Sequence, residues 1–250
     1  MYWNILDIVN AGNFLPHVRK ITPEWCSSDS QELYEKNLRI QPQDWMWRTR
    51  KVRYTLNSVR YRCPEWDTID WAQSIVIFGC SQVFGIGVDD SDTISNILSD
   101  LVKIPVINLG ISGSSMVFSY HNALQYFAGN RPTPRAAINL WTSCSRTTMY
   151  QKDWIEYYGP WNVNQGDYFD LYNKDLVNPT VHAIQLERSS QLIWNKTRYY
   201  SASLFDDTAQ AIGCDNLSSI CNVSMDSRDE MHSGPDSNYR IAKYIASRVF

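Results

Sequence analysis

The chain has 250 residues, 44% hydrophobic and 20% charged, with a formal net charge of −3. That length suits one sizeable core, and an aromatic content of 13% argues against a disordered chain. No apolar run approaches the roughly 20 residues of a membrane span, and the mild acidity argues against a polyanion binder driven by gross charge.

The first 73 residues are polar and dotted with tryptophan, and carry few strand signals. Trp3, Ile5, Leu6, Ile8 and Val9 predict a short amphipathic helix, packed on its own domain or docked on a partner or membrane surface. No basic stretch precedes an apolar one at the start. A secretory signal is therefore not expected, and the six scattered cysteines read as reduced thiols of a cytoplasmic protein. Three sequons, at Asn195, Asn216 and Asn222, then read as chance matches.

From residue 74 the texture changes. Ser74 to Gly79 is a short β-branched run ending in glycine, the signature of a buried parallel strand. Ser91 or Asp92 is expected to cap a helix that carries Ile94, Ile97, Leu98, Leu101 and Val102 on one face. Pro105 to Gly110 reads as a second strand, Met116 to Phe127 as a second helix and Arg135 to Trp141 as a third strand. A helix is expected through residues 182–196, and another starts at Pro235. Between them no strong strand stands out, and Ile220 to Val223 is the best candidate. Strands alternating with helices at this spacing predict an α/β fold with a parallel sheet and helices on both faces.

Ligands of such sheets lie beyond the carboxyl ends of the strands, near a switch in strand order. Neither GxxxxGK[ST] nor GxGxxG occurs after the first two strands, so no nucleotide loop is supported and no cofactor is expected. Cys214, Cys221 and His232 match no usual zinc spacing, and no metal is expected. What remains is Ser81, just past the first strand, with Gly85 and Gly87 behind it. A serine hydroxyl needs a base within hydrogen-bond reach. Of the four histidines, only His232 has a carboxylate three residues ahead, Asp229, which could fix its tautomer. On those residues alone, a surface turn is the simpler reading.

Three blocks together resemble a family. Phe78-Gly79-Cys80-Ser81 with Gly85 and Gly87, Asn108-Leu109-Gly110-Ile111-Ser112-Gly113, and Asp229-Glu230-Met231-His232-Ser233-Gly234-Pro235 are similar to the SGNH (GDSL) hydrolases. The stretch Tyr54 to Arg62 is also similar to a lead-in found in some members, so the resemblance covers residues 54–148 and 226–250. It implies a three-layer α/β/α sandwich with a flavodoxin-like parallel sheet, and hydrolysis of esters or thioesters. It further implies Ser81 as nucleophile, His232 as general base and Asp229 as the acid that orients it. The N–H groups of Ser81 and Gly113 would form most of the oxyanion hole. Two departures stand out. Cys80 replaces the usual aspartate, as a buried thiol or a rival nucleophile. The third block, a glycine and an asparagine, is absent from Leu140 to Arg146, so either Ser143 or Ser145 substitutes as the donor or a donor is missing.

Eight aromatics fall between residues 150 and 172, inside an expected insertion over 149–175. They suit a sugar platform or a loop packed on its own rings. Trp141 and Arg146 are expected at the mouth of the third strand, where the arginine would hold an anionic substrate or a structural ion pair. The expected organisation is an extension, 1–73, packed on a hydrolase domain, 74–250. The favoured reaction is removal of acetyl or other short acyl groups from a carbohydrate or small ester. A lipid or acyl-thioester hydrolase, and a non-catalytic SGNH-fold module in a larger assembly such as a phage particle, are the rivals. Expected partners are the small ester or acylated carbohydrate, with no nucleic acid and no membrane span. Oligomeric state is left open.

Overall fold

The computed structural model describes residues 21–150, 155–159, 172–175, 177–221 and 226–250. The helix expected near Trp3 and most of the aromatic-rich segment lie outside the described residues.

β1 (Ile75–Gly79) is buried along its whole length, as a strand covered on both faces must be. It pairs in parallel with β2 (Val106–Asn108) on one side and β3 (Ala136–Trp141) on the other. β4 (Thr147–Tyr150) and β5 (Ile155–Tyr158) form a separate antiparallel pair. The main sheet continues through β6 (Arg198–Ser203) to β7 (Asp215–Asn216), in the order β2-β1-β3-β6-β7. The chain leaves β1 to one side for β2 and returns to the other for β3, so the strand order reverses at the carboxyl end of β1. That is where open parallel sheets place ligands.

In chain order the described α-helices are α1 (Gln31–Ile40), α2 (Ser81–Phe84), α3 (Ile94–Val102), α4 (Met116–Ala128), α5 (Val177–Ile193), α6 (Asp206–Ile212), α7 (Ser218–Cys221) and α8 (Pro235–Val249). The period of two along β1 sorts its side chains between two cores. Ile75 and Ile77 pack with Ile94 and Leu98 of α3 and with Ile241 and Ile245 of α8. Val76 and Phe78 pack on the opposite face with Phe118 and Ala123 of α4 and with Trp194, just past α5. The result is a three-layer α/β/α sandwich.

Two expectations need correction. The fourth strand of the main sheet is β6, not the run at Ile220 to Val223, whose described part lies in the helix Ser218–Cys221. β6 reads RYYSAS and has no apolar run, because its inward polar groups are satisfied by hydrogen bonds: Tyr199 and Ser201 hydroxyls donate to the Glu187 carboxylate, and Ser203 to the Trp141 backbone carbonyl. The cap of α3 is Thr93, whose hydroxyl accepts from the Asn96 N–H, since residues 90–92 are already wound into a 3₁₀ turn.

Residues 21–73 hold α1 and three short 3₁₀ turns. Cys26, Trp47, Val52 and Tyr54 pack against Phe84 at the end of α2 and against Ile86 and Val88 just beyond it. Buried Arg62 pins this contact, donating to Asp90 and to the carbonyls of Phe84, Gly85, Val88 and Arg53 while stacking on Tyr54 at 4.7 Å. No described helix is long and apolar enough to cross a membrane.

Candidate active site

Ser81 opens α2 directly beyond β1, with Cys80 as the residue before the helix and Gly85 closing it at φ +85°. The tight turn rests on close backbone approach from β2. A Cβ on Gly110 would lie 2.7 Å from the Phe84 nitrogen and from Val83, so only glycine fits there. Asn108 locks the same contact, donating from its side chain to the Val83 carbonyl at 2.7 Å and accepting from the Gly110 N–H at 3.0 Å. Cys80 is buried, its sulfur 3.9 Å from the Ser81 hydroxyl.

The loop before α8 brings its histidine to this serine. Ser81 Oγ lies 3.0 Å from His232 Nε2, and His232 Nδ1 lies 2.8 Å from Asp229 Oδ2. The His232 side chain is 14% exposed and that of Asp229 is fully buried. Burial alone would raise the Asp229 carboxyl. The His232 hydrogen bond and charge, with donors from Ser227 and Ser28, outweigh it and hold the group at about 2. The carboxylate can only accept, so Nδ1 carries the proton toward Asp229 and Nε2 is left to accept from Ser81.

Each carboxylate oxygen of Asp229 has two donors. Oδ1 accepts from the Ser227 hydroxyl at 2.6 Å and the Met231 N–H at 3.2 Å. Oδ2 accepts from His232 and from the Ser28 hydroxyl at 2.5 Å. Ser227 Oγ also accepts from the His232 backbone N–H at 3.1 Å. Gln82, next to the serine, accepts from both the N–H and the hydroxyl of Ser233, next to the histidine. Asp226 takes the cap role at α8 that Gly234 has no side chain to fill, accepting from the Gly234, Asp236 and Ser237 N–H groups. Ser28, Ser227, Gln82 and Asp226 carry no signal in a single sequence. Their partners are set only by the folded chain.

The remaining expected residues fall as follows. Gly113 turns at φ +75° with open space where a side chain would be. Its loop is tied to the end of β1 by the Ile111 N–H and the Ser114 hydroxyl, both donating to the Gly79 carbonyl. Ser143, beyond β3, shares a hydrogen bond with Ser145 at 2.8 Å and donates to Asp207 at 3.3 Å, so its hydroxyl is committed away from the serine. Trp141 is a correction: it is 1% exposed, packs with Met116, Ala183 and Leu186, and donates from its indole to Glu187. It is an interior residue and lines no mouth. Arg146 lies over the Phe205 ring at 5.4 Å, and its backbone N–H donates to the Ser143 carbonyl. His121 and His182 pair with Tyr150 and Tyr172 instead of Ser81, and burial, with the charge of His182, lowers His121 to about 4. Among the described residues no group of three or more His, Cys, Asp or Glu side chains could hold a metal ion.

No family model matches the sequence, and no curated protein matches it. Among solved structures, the chain is similar to a protein described as an SGNH hydrolase from Slackia heliotrinireducens, at 12% identity and a TM-score of 0.44, covering 70% of this chain and 98% of that one. It is also similar to a protein described as a lipolytic protein of the G-D-S-L family from Desulfitobacterium hafniense, at 11% identity and a TM-score of 0.42, covering 71% and 99%. A third likeness is to a carbohydrate esterase family 2 enzyme with a carbohydrate-binding domain from Corynascus thermopiles (Myceliophthora fergusii), at 11% identity and a TM-score of 0.41, covering 70% and 66%. At these values, what the site can do rests on its own geometry.

Proposed function

We propose that the protein is a serine ester hydrolase of the SGNH type, with Ser81 as nucleophile, His232 as general base and Asp229 as its orienting acid. One observation carries this reading: the unbroken chain from Ser81 Oγ through His232 to Asp229, at 3.0 and 2.8 Å. His232 Nε2 takes the hydroxyl proton as Ser81 Oγ bonds to the acyl carbon, and the buried Asp229 carboxylate stabilises the imidazolium that forms. The carbonyl electrons move onto oxygen, where the Ser81 and Gly113 N–H groups would receive the negative charge. The oxyanion then collapses, the alcohol leaves with the proton from His232, and Ser81 keeps the acyl group. Water attacks that ester by the same route, His232 again taking and returning a proton, to release the acid.

The substrate we favour is a short acyl ester of a carbohydrate or similarly polar alcohol. A cleft of about 550 Å³ lined by Ser28, Glu32, Leu33, Glu35, Lys36, Arg39 and Met231 adjoins the Asp229–His232 loop, but neither Ser81 nor His232 lines it, so the substrate preference rests on the test below.

The test is turnover of a p-nitrophenyl ester series by the purified protein. The rate should peak at acetate, and Ser81→Ala should lower it by roughly 10⁴- to 10⁶-fold. A peak at octanoate overturns the short-acyl reading in favour of a lipid or thioester hydrolase. No turnover of any activated acetate ester, or a Ser81→Ala rate equal to wild type, overturns the enzyme reading and leaves the non-catalytic module.

A further inference from the structure

We propose that Ser28, delivered by the segment ahead of the hydrolase core, is a positioning residue that acts on His232 through Asp229; the inference rests on the triad reading above. Its hydroxyl donates at 2.5 Å to Asp229 Oδ2, the same oxygen that receives the His232 Nδ1 proton at 2.8 Å. An oxygen held from two directions cannot swing about the carboxylate axis without breaking a charge-assisted hydrogen bond. The plane that sets the imidazole orientation is thereby fixed from outside the loop that carries both residues.

The delivery is built. Ser27 and Ser28 are the two residues of a tight turn closed by paired Cys26–Asp29 backbone hydrogen bonds at 2.9 and 3.0 Å. Ser27 takes φ +56°, a left-handed conformation that a serine adopts only where its surroundings impose it. The residue that closes the turn anchors it. Asp29, 1% exposed, accepts from Arg228 at 2.8 and 2.7 Å, and Arg228 directly precedes Asp229 in the chain. Trp25 stacks on the Arg228 guanidinium at 4.1 Å, and Arg228 also donates to the Glu24 carbonyl. Tyr54 donates to Asp29 at 2.5 Å and accepts from the Gly87 N–H, tying the turn to the nucleophile side as well. The turn is bolted to the residue beside the acid, and Ser28 is the group it presents to the acid.

Removing this donor has two consequences. The carboxylate becomes freer to rotate, so the base is less often aligned. It also carries more uncompensated charge, which favours the imidazolium and moves the acid limb of the rate profile to higher pH. Among the described residues, other charged and titratable groups around this site are Asp29, Arg228, Cys26, Tyr54, Arg62, Asp226 and Glu230, with Glu32, Glu35, Lys36 and Arg39 lining the cleft beside Ser28. All are unchanged in a Ser28 variant, so a moved limb reports the lost hydroxyl.

The experiment compares kcat/KM against pH for wild type, Ser28→Ala, Ser28→Thr and Ser81→Ala with p-nitrophenyl acetate, alongside thermal midpoints. Ser28→Ala should lower kcat roughly ten- to a hundredfold with KM little changed, as loss of an outer-shell orienting group does. Its acid limb should move to higher pH, and Ser28→Thr, which keeps the hydroxyl, should restore both. If Ser28→Ala does not fold, Ser28→Cys keeps the shape with a weak donor and carries the same comparison. A Ser28→Ala profile that overlays wild type overturns the inference, as does a drop in kcat with no shift in the limb. Ser81→Ala separates the two levels. If it is inactive while Ser28→Ala is normal, the triad stands and Ser28 does not act on it; if it is fully active, the triad itself falls.

Discussion

The nucleophile turn is built by its neighbours in the sheet, whereas the loop bearing Asp229 and His232 is held by residues far away in the chain. Around Ser81, the Phe84 N–H donates to the Cys80 carbonyl and the Gly85 N–H to that of Ser81, with Asn108 of the adjacent strand clamping Val83. Around Asp229 the anchors come from the segment 21–54. Ser28 bonds the acid across 201 positions, Asp29 pairs with Arg228, Asn37 donates to the Arg228 carbonyl, and the Trp47 indole to that of Asp226. One half of the site is therefore a product of local strand–turn–helix geometry. The other half is also tied to the leading segment, whose residues bond the acid and, ahead of it, Arg228 and Asp226.

The largest break in this contrast is chemical. Asp229→Asn should leave the Ser81 turn intact and lower kcat by about 10⁴-fold, because the amide can present a donor to Nδ1 and stabilise the wrong tautomer. Steady-state kinetics on p-nitrophenyl acetate measures it. The next break is structural. Arg228→Met strands Asp29 in the interior with Tyr54 and without its cation, and should cost about 3–5 kcal/mol in a urea titration. If the leading segment is a mere appendage, that substitution should leave kcat unchanged in the protein that remains folded. If it forms part of the site, kcat falls too.

The same divide explains what a reader of the sequence could see. β1, β2 and β3 are covered on both faces and so appear as plain apolar runs. β6 was invisible because Tyr199, Ser201 and Ser203 go inside by hydrogen-bonding, not by being apolar. Ser81, Asp229 and His232 were legible because a resemblance supplied their spacing, and their side chains do meet. Trp141 was misplaced because position at the end of a strand does not say which face a side chain takes; its indole finds Glu187 inside. Ser28 and Ser227 left no trace, since a serine is informative only once its partner is known.

A smaller effect tests how firmly the distant anchors grip the acid. The Asp229 carboxyl is held at about 2, below its ordinary 3.8, so the unfolded chain takes up its proton first as pH falls. Its contribution is therefore complete above about pH 4 and is lost as pH falls toward 2. The amount is on the order of 2 kcal/mol. Urea unfolding of wild type and Asp229→Asn across that window should show the wild-type advantage shrinking. An advantage that does not change with pH would mean that the donors, Ser28 among them, do not bind the charged form preferentially.

The smallest expected effect concerns the side of the site that has no family asparagine. A donor aimed at the oxyanion typically carries a factor of about 10²–10³ in rate, so if Ser143 filled that place its loss would be plain. The geometry argues otherwise. The Ser143 hydroxyl has one proton, and Asp207, a carboxylate that can only accept, lies 3.3 Å away, with Ser145 at 2.8 Å on its other side. Turning that proton toward Ser81 would leave Asp207 without this donor. Ser143→Ala should accordingly change kcat/KM by less than about threefold, well below the oxyanion-hole range. Gly113 is the sharper place to look, because its N–H cannot be removed by a side-chain change yet its φ of +75° can be opposed by one. Gly113→Ala keeps open space around the new methyl but strains the turn that aims the N–H. A loss in kcat there that Ser143→Ala lacks would assign the oxyanion to the backbone on the nucleophile side, the half of the site that the sheet alone builds.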